Sequence, residues 1–273
     1  MKSNPLRDST LRWLLAVLLT VPFLAFQRRT GPTYPVRGKV ELGGASVSYR
    51  LPRSASVGAD AVVRISVPDT SICGSLSYRR YKSLDAWAET ALRREGEFLV
   101  GELPEQPPAG KVMYTVTLRK ESQTVTLPMQ PVVLRFKGKV PVAVLVPHVL
   151  FITLAMLFST RAGVEALARA GQPRRFMLWT IGLFLVGGFI LGPVVQKLAF
   201  GAFWTGFPFG HDLTDNKTLV AMLGWVAAWK ATAGGRKRRG WVIGAALLMV
   251  VVYLIPHSLL GSEIDFTSTG PGR

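Results

Sequence analysis

Five stretches of this chain are apolar enough to cross or nearly cross a lipid bilayer, and nothing else in the sequence restricts its architecture as strongly. They cover residues 13–28, 141–159, 176–198, 218–233 and 241–260. A helix needs roughly 20 mostly apolar residues to traverse the hydrocarbon core. The run 218–233 is the shortest, with Lys217 and Lys230 at its ends, where long side chains can snorkel to the interfaces. A hydrophobic content of 49% and a mean hydropathy of +0.29 agree with a membrane protein carrying one modest soluble part.

The first run follows Lys2, Arg7 and Arg12, the charged lead and apolar core of a signal sequence. Leu24-Ala25-Phe26-Gln27 lacks the small residues of a cleavage site, which favours an uncleaved signal anchor with residues 1–12 in the cytoplasm. The loops then set the orientation. Segment 160–175 carries Arg161, Arg169, Arg174 and Arg175 against Glu165, and the turn 234–240 is basic with no acid. Segment 199–217 has only Lys217 against Asp212 and Asp215, and the tail 261–273 has Glu263 and Asp265 against Arg273. Basic loops stay in the cytoplasm. The expected topology is N-terminus inside, five crossings and C-terminus outside, in a bacterial inner membrane.

The same rule accounts for the formal charge of +17, which is spread over membrane-flanking loops and a β-rich segment rather than along a basic helix. A nucleic-acid partner is therefore not expected. Trp179 and Trp241 open the third and fifth crossings, as interfacial aromatics do. Gly182, Gly187, Gly188 and Gly192 predict a close-packing face on the third crossing. Pro147 is expected in the first turn of the second crossing, where its missing N–H costs nothing.

Residues 33–138 change character. Alternating segments at 47–51, 61–67, 74–78, 97–101, 111–118, 123–127 and 132–136 are separated by turn residues, including Pro104 to Gly110. About seven short strands in such a length predict an all-β, immunoglobulin-like sandwich on the exported side. Segment 84–94 reads either as a short helix or as a strand. The single cysteine, Cys73, excludes an internal disulfide and is expected as a small buried strand residue. The segment from Arg28 to Lys139 holds 18 basic and 10 acidic residues, a solvated surface or a contact for anionic lipid headgroups or an acidic partner. It has no histidine, and so lacks the commonest general base.

The three histidines, His148, His211 and His257, all fall at the outer face in this topology. Together with Asp212 and Asp215 they could form a transition-metal site. His148 and His257 alone could ligate haem b. The competing explanation is ordinary: Thr214 or Asp215 caps a helix, Asp212 fixes the loop, and His148 and His257 bind carbonyls freed by nearby prolines. A proton or ion path is a third possibility.

The outer segment 199–217 joins Gly201, Gly206 and Gly210 to Phe203, Trp204, Phe207 and Phe209. It is too aromatic to float in water and is expected to fold back over the helices, with Trp204, Phe207 and Phe209 as an interaction surface. The run Trp204-Thr-Gly-Phe-Pro-Phe-Gly-His-Asp-Leu-Thr-Asp-Asn-Lys-Thr218, with Gly192-Pro-Val-Val-Gln-Lys-Leu-Ala-Phe-Gly201 before it, resembles a motif of uncharacterised bacterial polytopic membrane proteins. That resemblance implies a bacterial cytoplasmic membrane and carries no activity. The function expected is a non-catalytic interaction or assembly module meeting the bilayer and another membrane or extracytoplasmic protein. A metal- or haem-binding redox or metal-handling protein is the alternative.

Overall fold

A computed structural model describes residues 8–169, 171–235, 238–256, 261 and 263–267. His257 lies outside the described residues. Within them the chain forms two compact units. A helical unit takes Met1–Gly31, Val140–Leu198 and Ala202–Gly261, and a β unit takes Pro32–Lys139, Ala199–Gly201 and Ser262–Arg273.

The helical unit contains α1 (Ser9–Thr30), α2 (Val142–Leu167), α3 (Pro173–Phe184), a π-helical turn (Leu185–Leu191), α4 (Gly192–Phe200), α5 (Leu213–Ala231) and α6 (Arg239–Leu254). Three rods, α1, α2 and the continuous Pro173–Phe200, are long and apolar enough to cross a membrane, and α6 is a shorter apolar helix. Asp8 begins α1 by accepting the Thr10 N–H at 2.8 Å. α2 packs on α1, α3 and α6 around Ala155, Met156, Ala221, Trp225, Ala245 and Met249. Small residues let the backbones approach: a Cβ on Gly163 would sit 2.8 Å from the Ala246 Cβ, and one on Gly187 3.0 Å from the Ile152 nitrogen.

Several expectations change here. α2 starts at Val142, so Pro147 lies inside the helix rather than in its first turn. α2 also continues to Leu167, so Arg161 and Glu165 are helical and buried rather than part of a loop. Lys217 does not snorkel. It is buried, and its ammonium donates to the Ile255 carbonyl at 2.8 Å, beyond the end of α6. Gly187 and Gly188 pack against neighbouring side chains, but a Cβ on Gly182 would meet nothing within 4 Å. At 3.6 residues per turn Gly182 already lies about 140° around the helix from Gly187. A π turn, Leu185–Leu191, then precedes Pro193. An α-helical Pro193 ring would collide with the carbonyl four residues back, and the wider turn relieves that clash while changing the helix phase.

In the β unit, β1 (Val36–Leu42) and β2 (Ala45–Leu51) form a hairpin, followed by β3 (Ser54–Ser56), β4 (Ala61–Ser66), β5 (Cys73–Arg80), β6 (Ala88–Ala91), β7 (Arg93–Glu95), β8 (Phe98–Leu103), β9 (Lys111–Lys120) and β10 (Gln123–Lys137). One sheet has the order β3-β10-β9-β5-β6 with β3 parallel to β10, and a second has the order β4-β8-β7. The chain enters the second sheet between β3 and β4, and from β4 onward it changes sheets three times, between β4 and β5, between β6 and β7, and between β8 and β9. Alternation drives burial: Ala61, Val63 and Ile65 of β4 point inward, as do Val112, Tyr114, Val116 and Leu118 of β9. They meet Leu51, Leu76, Leu99, Leu103, Leu134 and Phe136 in one core. Each such fully buried side chain contributes about 1.5–3 kcal/mol.

Every alternating segment lies in a strand, although 123–127 and 132–136 belong to one strand with a register shift at Leu127/Val132, beside Pro128. Segment 84–94 contributes β6 and β7, not a helix: Ser75 to Tyr78 pair with Ala91 to Ala88. Arg94 holds the preceding turn by donating to the Val67, Asp69 and Ile72 carbonyls. Cys73 opens β5 but is exposed, not buried, because it stands at the strand's first position rather than on its core-facing register.

Two remote segments complete this unit. Gly138 N–H donates to the Ala199 carbonyl at 2.8 Å, and the Arg135 guanidinium lies 3.8 Å from the Phe200 ring centroid. From the tail, Glu263 pairs with Lys82 and Lys111, the Phe266 N–H donates to the Lys82 carbonyl at 2.9 Å, and Arg80 covers the Phe266 ring.

Candidate functional site

The segment between α4 and α5 is an ordered loop built on one carboxylate. Oδ2 of buried Asp215 accepts the backbone N–H groups of Thr205 at 2.6 Å and Gly206 at 2.9 Å, and the Gln196 amide at 3.1 Å. The Thr205 hydroxyl lies between the two aspartates, 3.2 Å from Asp212 and 3.4 Å from Asp215, and accepts from Gln196 at 2.7 Å. Asn216 accepts the Phe207 N–H at 2.6 Å. Gly206 is needed for this approach: a Cβ there would come within 2.5 Å of the Asp215 Cβ.

The roles of the two aspartates are the reverse of expectation. Asp212 caps α5 by accepting the Thr214 N–H at 2.8 Å, while Asp215 fixes the loop. An N-cap carboxylate satisfies one orphan N–H and complements the helix dipole. The carboxylates of Asp212 and Asp215 and the amide oxygen of Asn216 thus accept from this segment's own backbone.

What the loop turns outward is aromatic. Phe207 and Phe209 are 67% and 82% exposed, while Trp204 is half-buried, stacks on Phe189 and donates its indole N–H to the Phe207 carbonyl at 3.0 Å. His211 is exposed beside Asp212.

His148 sits elsewhere, on α2, with Nδ1 2.9 Å from the Gly187 carbonyl. That carbonyl also accepts the Gly192 N–H across the π turn. Because a carbonyl can only accept, Nδ1 carries the proton and Nε2 is the nitrogen left to face a ligand. Among the described residues no group of three or more His, Cys, Asp or Glu side chains is arranged to hold a metal. The proposed partner of His148 in a haem site, His257, is outside them.

A second buried polar cluster was hidden from the sequence by the placement of a loop. Arg12 and Arg161 both pair with Glu165, at 3.1 and 2.5 Å, and all three are at most 5% exposed. Arg161 also donates to the Ser9 hydroxyl and lies over the rings of Trp13 and Phe176. The clue was present: Arg161 and Glu165 are four residues apart, and apart from Gly163, which a helix tolerates, no Gly or Pro intervenes until Gly171 and Pro173. The cluster ties α1 to α2.

Comparison with family models, with curated proteins and with solved structures gives no match.

Proposed function

We propose that this chain is an integral protein of a bacterial cytoplasmic membrane that displays an immunoglobulin-like domain on the outer face, as a non-catalytic module binding another membrane or extracytoplasmic protein. The observation that carries it is the convergence of three distant segments, 32–139, 199–201 and 263–267, in one β unit. A chain threading a membrane can gather them only if it recrosses an even number of times between each pair. α2 with Pro173–Phe200 provides one such pair of crossings, and α5 with α6 the other. With α1 as anchor this gives five, in agreement with the loop charges. At 1.5 Å per residue the 16-residue α6 spans about 24 Å, a little short of the roughly 30 Å core.

The strand order supports the immunoglobulin-like assignment. A sheet containing β10-β9-β5-β6 opposite β4-β8-β7 repeats the G-F-C-C′ and B-E-D arrangement of such sandwiches, with the same three changes of sheet. The leading β1–β2 hairpin is an addition. Interaction rather than chemistry is favoured because the outer loop spends its carboxylates on scaffolding and presents Phe207 and Phe209.

Cys73, the single and exposed cysteine, supplies the test. In intact spheroplasts a membrane-impermeant maleimide should label it without lysis. Labelling only after permeabilisation would overturn the topology. A photo-crosslinking residue at position 207 or 209 should yield a discrete protein adduct absent from the same residue at exposed position 129. Lipid adducts alone would remove the interaction role.

A further inference from the structure

A cavity of about 830 Å³ opens in the helical unit between the start of α3 and the start of α6. Its walls combine Arg174, Arg175, Arg238 and Arg239 with Leu178, Trp179 and Val242. We infer that it binds an anionic phospholipid, the phosphate among the four arginines and an acyl chain along Leu178, Trp179 and Gly182.

The charge is uncompensated within the unit. Four carboxylates belong to its described residues, and each is engaged elsewhere: Asp8 caps α1, Glu165 pairs with Arg12 and Arg161, Asp212 caps α5 and Asp215 holds the loop. Four arginines lining one cavity, three of them exposed, make a site complementary to an anion from outside the unit. α3 and α6 also both begin here without a side-chain cap, adding the positive ends of two helix dipoles.

The apolar half of the cavity selects the source of that anion. Leu178 and Trp179 are about half exposed, and a Cβ at Gly182 would meet nothing within 4 Å. In the proposed placement Leu178 and Trp179 lie on a crossing helix, so a phospholipid covers the basic and the apolar half with one molecule, whereas a soluble phosphate covers only the basic half. Basic pockets between membrane helices on the cytoplasmic side bind anionic headgroups in this manner. The inference rests on the membrane placement proposed above, which Cys73 labelling tests separately.

The experiment is native mass spectrometry of the full chain in detergent, titrated with phosphatidylglycerol, phosphatidylcholine or inorganic phosphate. Phosphatidylglycerol should bind at least about tenfold more tightly than phosphatidylcholine. Changing all four arginines to alanine should abolish that preference. Gly182→Phe should weaken phosphatidylglycerol binding with the arginines intact; a Cβ there meets nothing within 4 Å, and an unchanged thermal melt checks that the variant is folded. Equal binding of the two lipids, or unchanged binding by both variants, overturns the inference. Displacement of the lipid by inorganic phosphate at comparable concentration overturns the lipid as the source. Failure with correctly exported Cys73 would remove the lipid site and leave the topology standing.

Discussion

Asp215→Ala tests whether one carboxylate organises the α4–α5 loop. The substitution removes the acceptor of two backbone N–H groups, Thr205 at 2.6 Å and Gly206 at 2.9 Å, and of the Gln196 amide. Leaving a buried donor without a partner costs about 1–3 kcal/mol. The two backbone groups together therefore put the closed loop at a disadvantage of about 2–5 kcal/mol, allowing for partial rescue by water. The lower end corresponds to about a thirtyfold increase in the open population. Hydrogen exchange of a peptide covering residues 203–210, measured in detergent, reads this directly, because the Thr205 and Gly206 amides exchange only when released. Asp215→Asn keeps an acceptor oxygen but loses the charge that strengthens these bonds, so a smaller rise of about tenfold is expected. Amides of β9, in the other unit, should be unchanged. Exchange at Thr205 and Gly206 within about threefold of wild type in Asp215→Ala would refute the latch.

Two further perturbations address other elements. Glu165→Ala strands Arg12 and Arg161 in the helical unit and should cost about 3–5 kcal/mol, visible as a lowered melting temperature in detergent. Gly171→Ala should act in the same direction, because its φ is +63° and a Cβ would lie 1.6 Å from Glu165 Oε2; unchanged melting of both would refute the cluster's structural role. In the β unit the side-chain hydrogen bonds from Arg80, at 2.7 and 2.9 Å, hold the Asp85 carboxyl down from 3.8 to about 2. A depressed carboxylate stabilises the fold above its unfolded value and loses that contribution as pH falls through the folded one. Asp85→Asn should therefore flatten the acid limb of the stability profile between those two values, and an unaltered limb would count against the pair.

What the sequence disclosed followed from periodicity and charge. Alternation at 61–67 and 111–118 located strands because one face of each is buried in a shared core. The five apolar runs located helices because length and hydropathy suffice for that. The edge strands β6 and β7 were ambiguous, since Ala88 to Ala91 are all exposed and carry no inward pattern. Glu165 was misplaced because charge was taken as a sign of loop, whereas its two arginine partners make burial tolerable. The loop residues were identified but their roles exchanged. Whether Asp212 or Asp215 caps α5 depends on where the helix begins, and helix starts are set by geometry that a single sequence leaves free within a turn or so.

The π turn at Leu185–Leu191 has a consequence for everything downstream of it. A turn closed by an i to i+5 bond holds one residue more than an α turn, and each residue of an α-helix advances by about 100°. The segment thus works as a phase shifter within a single rod. Before it, Gly182 faces open space; beyond it, Gln196 reaches Thr205 and Asp215. Deleting one residue from 185–191 would restore uniform winding and swing Gln196 away from the loop it braces, although the apolar character of the rod would hardly change.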